Sequence, residues 1–230
     1  SMTGIGSGKV LNLDLNQAAD HVKLMNRITA KTIGINSAAR TTCVKPAGTT
    51  SLVLGTSSGI HAWHNKYYIR RMRVGKNEAI YTYLSINHPE LVQDEYFRPH
   101  DTAVIEIPQA APKGSIIRTE SAFDLLERVK LVANDWVKAG HRKGSNTHNV
   151  SATISLKDKE WEQAGEWMWE NRNNYNGLSV LPYDGGTYTQ APFEDISKTK
   201  YDEMTKLLQD IDLTKVVELN DNTDLSGELA

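Results

Sequence analysis

The stretch best suited to chemistry reads Lys-Pro-Ala-Gly-Thr-Thr-Ser, from Lys45 to Ser51. A turn here would point several backbone N–H groups in one direction, and Gly48 would let a ligand approach the backbone closely. Hydroxyl groups on Thr49, Thr50 and Ser51 add further donors. These features predict an anion-binding loop, although it lacks the residue spacing of a P-loop. The alternative is a capped turn between a strand and a helix that binds no ligand.

Two histidines and an arginine-rich run follow this loop. His61 and His64 have a helical spacing, but no cysteine or nearby carboxylate completes a ligand set, so a structural zinc site is disfavoured. The run 67–73 places arginines beside aromatic residues and could hold phosphates or stack on rings. A solvated strand with buried tyrosines is the simpler interpretation of the same run. Cys43 lies on a predicted strand and is expected to be an inert, buried thiol.

Helices and short strands alternate along the chain. Apolar residues at helical spacing predict helices over 16–33 with Asn16 as cap, from Ser121 onward, around Trp161 and after Ser197. Strands are predicted at 40–45, 102–108, 115–118, 150–156 and 178–181. This alternation predicts an α/β fold with a parallel or mixed sheet. Since no linker divides the sequence, we predict a single domain over 1–230, ending in a mobile acidic tail over 218–230.

Composition restricts the classes of partner. The 230 residues include 26 Lys and Arg against 28 Asp and Glu, which gives a formal net charge of −2. A general nucleic-acid or membrane-surface binder would carry a basic excess, and no apolar run is long enough to span a bilayer. The single cysteine, Cys43, excludes an intrachain disulfide and favours a reducing compartment. We therefore expect a cytoplasmic protein with no nucleic-acid partner and no membrane.

Several ordered motifs together resemble one protein family. Besides the stretch 45–51, they lie at 58–61, 67–71, 141–153 and 178–183. In this order they resemble the C-terminal part of ribonucleotide reductases. The closer resemblance is to the class II, adenosylcobalamin-dependent ribonucleoside-triphosphate reductases, and it extends over essentially the whole chain.

This resemblance implies a fold and an activity. The fold is the ten-stranded α/β barrel of ribonucleotide reductases, of which this chain would supply the C-terminal part. In the family, the matching loop holds the phosphates of the ribonucleotide substrate. That role would fall here to Pro46, Ala47, Gly48, Thr49 and Thr50. The family converts ribonucleotides to 2′-deoxyribonucleotides through a cysteine thiyl radical that adenosylcobalamin generates.

The resemblance also associates two segments, roughly 64–123 and 185–224, with the cobalamin cofactor. Within them, Arg70 and Arg71 are candidates for contact with the cofactor's phosphate. Gly185 and Gly186 are candidates for close backbone contacts with the cofactor.

The sequence departs from the family at its cysteines. The family's radical cysteine lies in an Asn-x-Cys-x-Glu arrangement that is not found here, and Cys43 cannot take its role because it lies between Thr42 and Val44. The reducing cysteines are missing as well. We therefore expect a fragment that is inactive alone, needs the N-terminal part of the reductase, and could form a homodimer through exposed barrel strands. The alternative is a stand-alone nucleotide- or phosphate-binding module without catalysis.

Overall fold

The computed structural model describes residues 1–183, 185, 188–208 and 210–217. Its helices are α1 (Leu15–Ile33), α2 (Thr49–Val53), α3 (Ala79–Asn87), α4 (Ala122–Val132), α5 (Trp161–Glu170) and α6 (Lys198–Leu207). Its strands are β1 (Tyr67–Gly75), β2 (Val92–Asp94), β3 (Thr102–Ala110), β4 (Thr153–Leu156), β5 (Ser179–Pro182) and β6 (Phe193–Asp195). Within these ranges, no helix combines the length and apolar character needed to cross a bilayer.

The described residues fall into two compact units. The first unit comprises Ser1–Lys66 and Ala111–Gly185, and the second comprises Tyr67–Ala110 and the described part of Gly186–Ala230. The single domain predicted for 1–230 stays a prediction, because two compact units can belong to one cooperative domain. The predicted tail over 218–230 lies outside the described residues.

The first unit is organised around α4. Ser121 accepts a hydrogen bond from the Asp124 amide, and the Asp124 carboxylate accepts one from the Ser121 amide, which forms the predicted capping box. The helix continues into a π-helical turn over Ala133–Lys138. Beside α4, strands β4 and β5 pair in parallel. The fully enclosed apolar side chains of this core are Ile5, Ile60, Leu126, Val129, Val132, Val150, Ile154 and Leu156.

The second unit is built on a four-stranded antiparallel sheet in the order β2-β3-β1-β6. The two long strands, β1 and β3, pair from Tyr67 opposite Ala110 to Gly75 opposite Thr102. Val74, Ala103 and Ile105 on one face of this sheet pack with Tyr83 and Leu84 of α3. The smaller core therefore lies between a sheet face and a helix.

Several sequence predictions are corrected in detail. The stretch 40–45 forms only isolated bridges, at Arg40 and Val44, and the stretch 115–118 forms a single bridge at Ile117. The N-cap of α1 is Asp14, whose carboxylate accepts a hydrogen bond from Gln17, so Asn16 lies inside the helix. The expected parallel or mixed sheet is wrong for the larger sheet, which is entirely antiparallel.

Candidate functional site

The 46–50 loop is an exposed turn of the first unit, and it leads into α2. Gly48 has a φ of 52°, in the left-handed region that favours glycine. A Cβ atom built on Gly48 would meet nothing within 4 Å, so the space beside its backbone is open. Pro46, Gly48 and Thr50 are all exposed. A ligand from solvent could therefore approach the backbone of this turn, as the sequence predicts.

The loop uses part of its hydrogen-bonding capacity internally. The Gly48 amide donates to the hydroxyl of Ser58 at 3.3 Å, and the Thr50 amide donates to the Ala47 carbonyl at 3.1 Å. The Ser51 hydroxyl is buried and donates to the Gly48 carbonyl at 2.6 Å. Ser51 therefore stabilises the turn, and the prediction that its hydroxyl serves a ligand is corrected.

A second segment, 58–61, lies against the loop, and we call it the loop floor. A Cβ atom built on Gly59 would lie 3.2 Å from the Cα atom of Pro46, so the two backbones are in direct contact. The N-terminal residues hold this floor from the other side. The Gly59 amide donates to the hydroxyl of Thr3 at 2.9 Å, and the Ile5 amide donates to the Gly59 carbonyl at 2.9 Å.

The residues that precede the loop are fixed by the π-helical turn. The buried hydroxyl of Thr42 donates to the Trp136 carbonyl at 2.6 Å, and the Trp136 indole N–H donates to the Cys43 carbonyl at 3.0 Å. The Lys45 amide donates to the Met2 carbonyl at 2.9 Å. Cys43 is half-buried, so its side chain is less enclosed than the sequence predicts.

Two side chains tie the floor to the interior of the unit: that of His61, within the floor itself, and that of Arg128. His61 Nε2 accepts a hydrogen bond from the Thr153 amide at 3.0 Å, at the start of β4. Arg128 of α4 donates through Nε to the Ile60 carbonyl at 3.1 Å and pairs with both carboxylate oxygens of Glu120 at 2.7 Å. Sequence reasoning missed both roles, because a lone histidine and a helical arginine carry no signal for such long-range contacts.

Arg70 and Arg71, the candidates for a cofactor phosphate, lie on β1 in the second unit. Arg71 donates through Nε to Glu106 at 2.6 Å, through one terminal nitrogen to the Ala191 carbonyl at 3.1 Å, and through the other to Glu194. Burial alone would lower the pKa of Arg71, but the hydrogen bonds to Glu194 and Glu106 outweigh it and raise the pKa. Arg70 places its guanidinium 4.4 Å from the centre of the Phe193 ring.

The remaining cobalamin candidates are Gly185 and Gly186. Gly185 belongs to the first unit, with a φ of 73°, and Gly186 lies outside the described residues. In the described part of the chain, no three side chains from His, Cys, Asp and Glu meet in a metal-binding arrangement. The assignment of all four residues to a cofactor site stays a prediction.

Comparison with known proteins identifies relatives of this chain. It is 32% identical over 187 residues to the adenosylcobalamin-dependent ribonucleoside-triphosphate reductase of Euglena gracilis, covering 78% of the chain. A probable enzyme of the same name from Dictyostelium discoideum is 29% identical over 84% of the chain. The enzyme of Lactobacillus delbrueckii subsp. bulgaricus is 28% identical over 86%. The chain is related to the adenosylcobalamin-dependent ribonucleoside-triphosphate reductases.

The relationship concerns a segment of those enzymes. The matches span 24% of the Euglena protein, 25% of the Dictyostelium protein and 27% of the Lactobacillus protein. No protein-family model matches the chain. The predicted resemblance to a piece of a class II reductase is thus confirmed.

A solved structure gives the same answer for the fold. The crystal structure of a B12-dependent, class II ribonucleotide reductase is similar to this chain, with a TM-score of 0.77 and 22% identity. The match covers 94% of this chain and 34% of the chain in the crystal structure. This likeness confirms the predicted fold class, the α/β fold of part of a ribonucleotide reductase.

Proposed function

We propose that this chain is the C-terminal segment of an adenosylcobalamin-dependent ribonucleotide reductase, in which the 46–50 loop binds the phosphates of the ribonucleotide substrate. The observation that carries the proposal is the open, left-handed Gly48 in an exposed turn, found in a chain related to these reductases. The Gly48 and Thr50 amides already donate within the protein, so a phosphate oxygen would draw on the other N–H groups of the turn, and no side chain at Gly48 blocks its approach. The exposed residues Lys45 and Thr50 add a positive charge and a hydroxyl donor beside it.

Reduction of the substrate needs more thiols than this chain contains. Replacing the ribose 2′-hydroxyl by hydrogen releases water and takes up two electrons, which a pair of thiols supplies by forming a disulfide. The chain has only Cys43. The role of the chain is therefore to bind and orient the substrate phosphates, while the radical and reducing cysteines belong to the remainder of the reductase.

The cofactor is proposed for the complete enzyme only. Adenosylcobalamin, when bound, supplies the radical that starts the reaction. The fit of Arg71 to that cofactor is poor, because its guanidinium is already engaged by Glu106, Glu194 and the Ala191 carbonyl. Arg70 is half-buried, with its Nε atom enclosed and its guanidinium against the Phe193 ring, so it does not present an open fork to a phosphate. We therefore assign no step to these arginines, and any cobalamin contact from 185–186 stays a prediction.

Complementation tests the proposed function. The chain alone is expected to show no adenosylcobalamin-dependent formation of deoxynucleotide, and addition of the missing N-terminal part of the reductase is expected to restore it. Deoxynucleotide is measured by chromatography after incubation with a ribonucleoside triphosphate, adenosylcobalamin and a dithiol. Turnover by the chain alone would refute the proposal that the radical and reducing cysteines belong to the remainder of the reductase. Failure of an assembled mixture to turn over would refute the proposal that the chain is a reductase segment.

The loop itself is tested by Gly48→Val. Valine at a positive φ strains the turn and blocks the approach to its backbone, so phosphate or nucleotide binding is expected to weaken by about 1–3 kcal/mol. Affinity is measured by NMR titration, with ligand up to millimolar concentration. Gly55→Val is the matched control, because Gly55 has a similar φ of 59° and open space around its Cβ position but lies outside the loop. Equal losses in both variants would contradict a specific role for Gly48.

A stand-alone nucleotide- or phosphate-binding module is the second candidate, favoured by the single cysteine. It predicts the same anion binding but no gain of deoxynucleotide formation on adding the N-terminal part. The two functions therefore differ only in the complementation result. A homodimer stays a prediction, and its test is the molar mass in solution.

A further inference from the structure

The loop floor connects the proposed phosphate loop to the interior of the first unit. The hydroxyl of Ser58 accepts from the Gly48 amide, and Gly59 contacts Pro46. Any movement of Ser58 and Gly59 therefore displaces the 46–50 loop directly. What holds this floor in place decides how well the loop is ordered for an anion.

His61 uses both ring nitrogens to hold the floor. Nε2 accepts from the Thr153 amide at 3.0 Å, and the ring also hydrogen-bonds to the Ser58 carbonyl. A backbone amide only donates and a carbonyl only accepts, so Nε2 must be unprotonated and the proton must lie on Nδ1. The geometry thus requires a neutral ring in one tautomer.

We propose that His61 is a positioning residue whose neutral ring ties the loop floor to β4, so that proton uptake by the ring releases the floor and weakens anion binding at the 46–50 loop. This inference rests on the proposed function of that loop. A protonated ring would turn an N–H group towards the N–H group of Thr153, which removes the acceptor and sets two donors against each other. The ring would keep its link to Ser58 and lose its link to β4.

Two charged groups act on the ring besides its hydrogen-bond partners. Burial lowers the pKa of His61; the hydrogen bond to Ser58 opposes the shift, Arg128 adds to it and Glu120 opposes it. Since Arg128 and Glu120 form a paired unit on the protein side of the floor, their effects on the ring partly cancel. The folded protein therefore prefers the neutral ring. The contribution of this link to stability is present above the ordinary histidine pKa of about 6.5 and is lost as the pH falls below it.

The direction of the pH effect separates this role from a direct one. If His61 touched the anion, its positive charge at low pH would strengthen anion binding. If His61 positions the floor, the same protonation weakens binding. Sulfate is the appropriate probe, because its own charge does not change over this range of pH.

The experiment measures sulfate affinity from about pH 7.5 down to a pH at which the His61 ring is protonated in the folded protein, which lies below the ordinary histidine pKa of about 6.5 and is read from the NMR titration of the ring itself. The wild-type affinity is expected to fall about fivefold on acidification, the effect of losing one hydrogen bond that orders the loop. His61→Gln, whose amide oxygen can accept from Thr153 without titrating, is expected to bind sulfate with little dependence on pH. His21→Gln changes an exposed histidine on α1 and is expected to keep the wild-type pH dependence.

A direct readout of the link keeps the inference testable if sulfate does not bind. Hydrogen exchange of the Thr153 amide is expected to accelerate, beyond the intrinsic effect of pH, as His61 titrates in the wild type and not in His61→Gln. Absence of sulfate binding at every pH would refute the proposed function, while the Thr153 exchange would still decide the role of His61. Affinity that rises or stays constant on acidification, or Thr153 exchange that is indifferent to His61, would overturn the inference.

Discussion

Replacement of Arg71 by methionine is expected to lower the free energy of unfolding by about 3–5 kcal/mol, because it leaves a buried carboxylate without its partner. The side chains of Arg71 and Glu106 are only 10% and 11% exposed, and they meet at 2.6 Å between two central strands of the second unit. Water cannot replace the guanidinium at that depth. Urea denaturation followed by circular dichroism measures the loss.

Two further variants define the cause. Arg98→Met breaks an ion pair with Asp101 in which the arginine is 66% exposed, so it is expected to change stability little. The double variant with Arg71→Met and Glu106→Leu removes both members of the buried pair and is expected to recover much of the lost stability. If Arg71 instead bound cobalamin, Arg71→Met would leave the free energy of unfolding unchanged. It would lower the cofactor affinity of the enzyme assembled from this chain and the N-terminal part of the reductase.

Local signals in the sequence predict much of this fold. The helix from Ser121 is correct because its cap lies within its own first turn, where Ser121 and Asp124 satisfy each other's backbone amides. The strand over 102–108 is confirmed as part of β3 (Thr102–Ala110). These elements share one property, which is that the residues that determine them are close in sequence.

Elements that depend on distant partners are the ones sequence reasoning misses. The stretch 40–45 has β-prone residues, but its bridges are made to Met2 and His141, so no ladder extends along it. Helix α3 is not predicted from the sequence, because 79–87 contains two isoleucines, two tyrosines and a threonine, which favour strands when judged locally. Packing of Tyr83 and Leu84 against the antiparallel sheet overrides that preference.

The candidate site likewise has one part that neighbouring residues predict and another that depends on residues distant in sequence. A proline, a glycine and hydroxyl residues in succession predict where the loop lies, and the positive φ of Gly48 is consistent with a turn at that place. Its support comes from Thr3, Arg128 and Thr153, which are far from the loop in sequence and reach the floor only after folding. No spacing rule relates such residues, so their contribution is visible only in three dimensions.

Gly6→Ala tests whether the N-terminal segment holds the loop floor, and about 3 kcal/mol of stability is expected to be lost through overpacking. A Cβ atom on Gly6 would lie 2.1 Å from the carbonyl oxygen of His61 and 3.0 Å from the hydroxyl oxygen of Ser57. Because the closest atom belongs to the backbone, relief requires the floor itself to shift, and sulfate binding should weaken with it. Gly165→Ala, inside α5 with nothing within 4 Å, is the control and should stabilise the protein by about 0.5–1 kcal/mol. Stability and sulfate affinity are measured on the same samples, and a Gly6→Ala protein that matches the control in both would show that the floor does not depend on this contact.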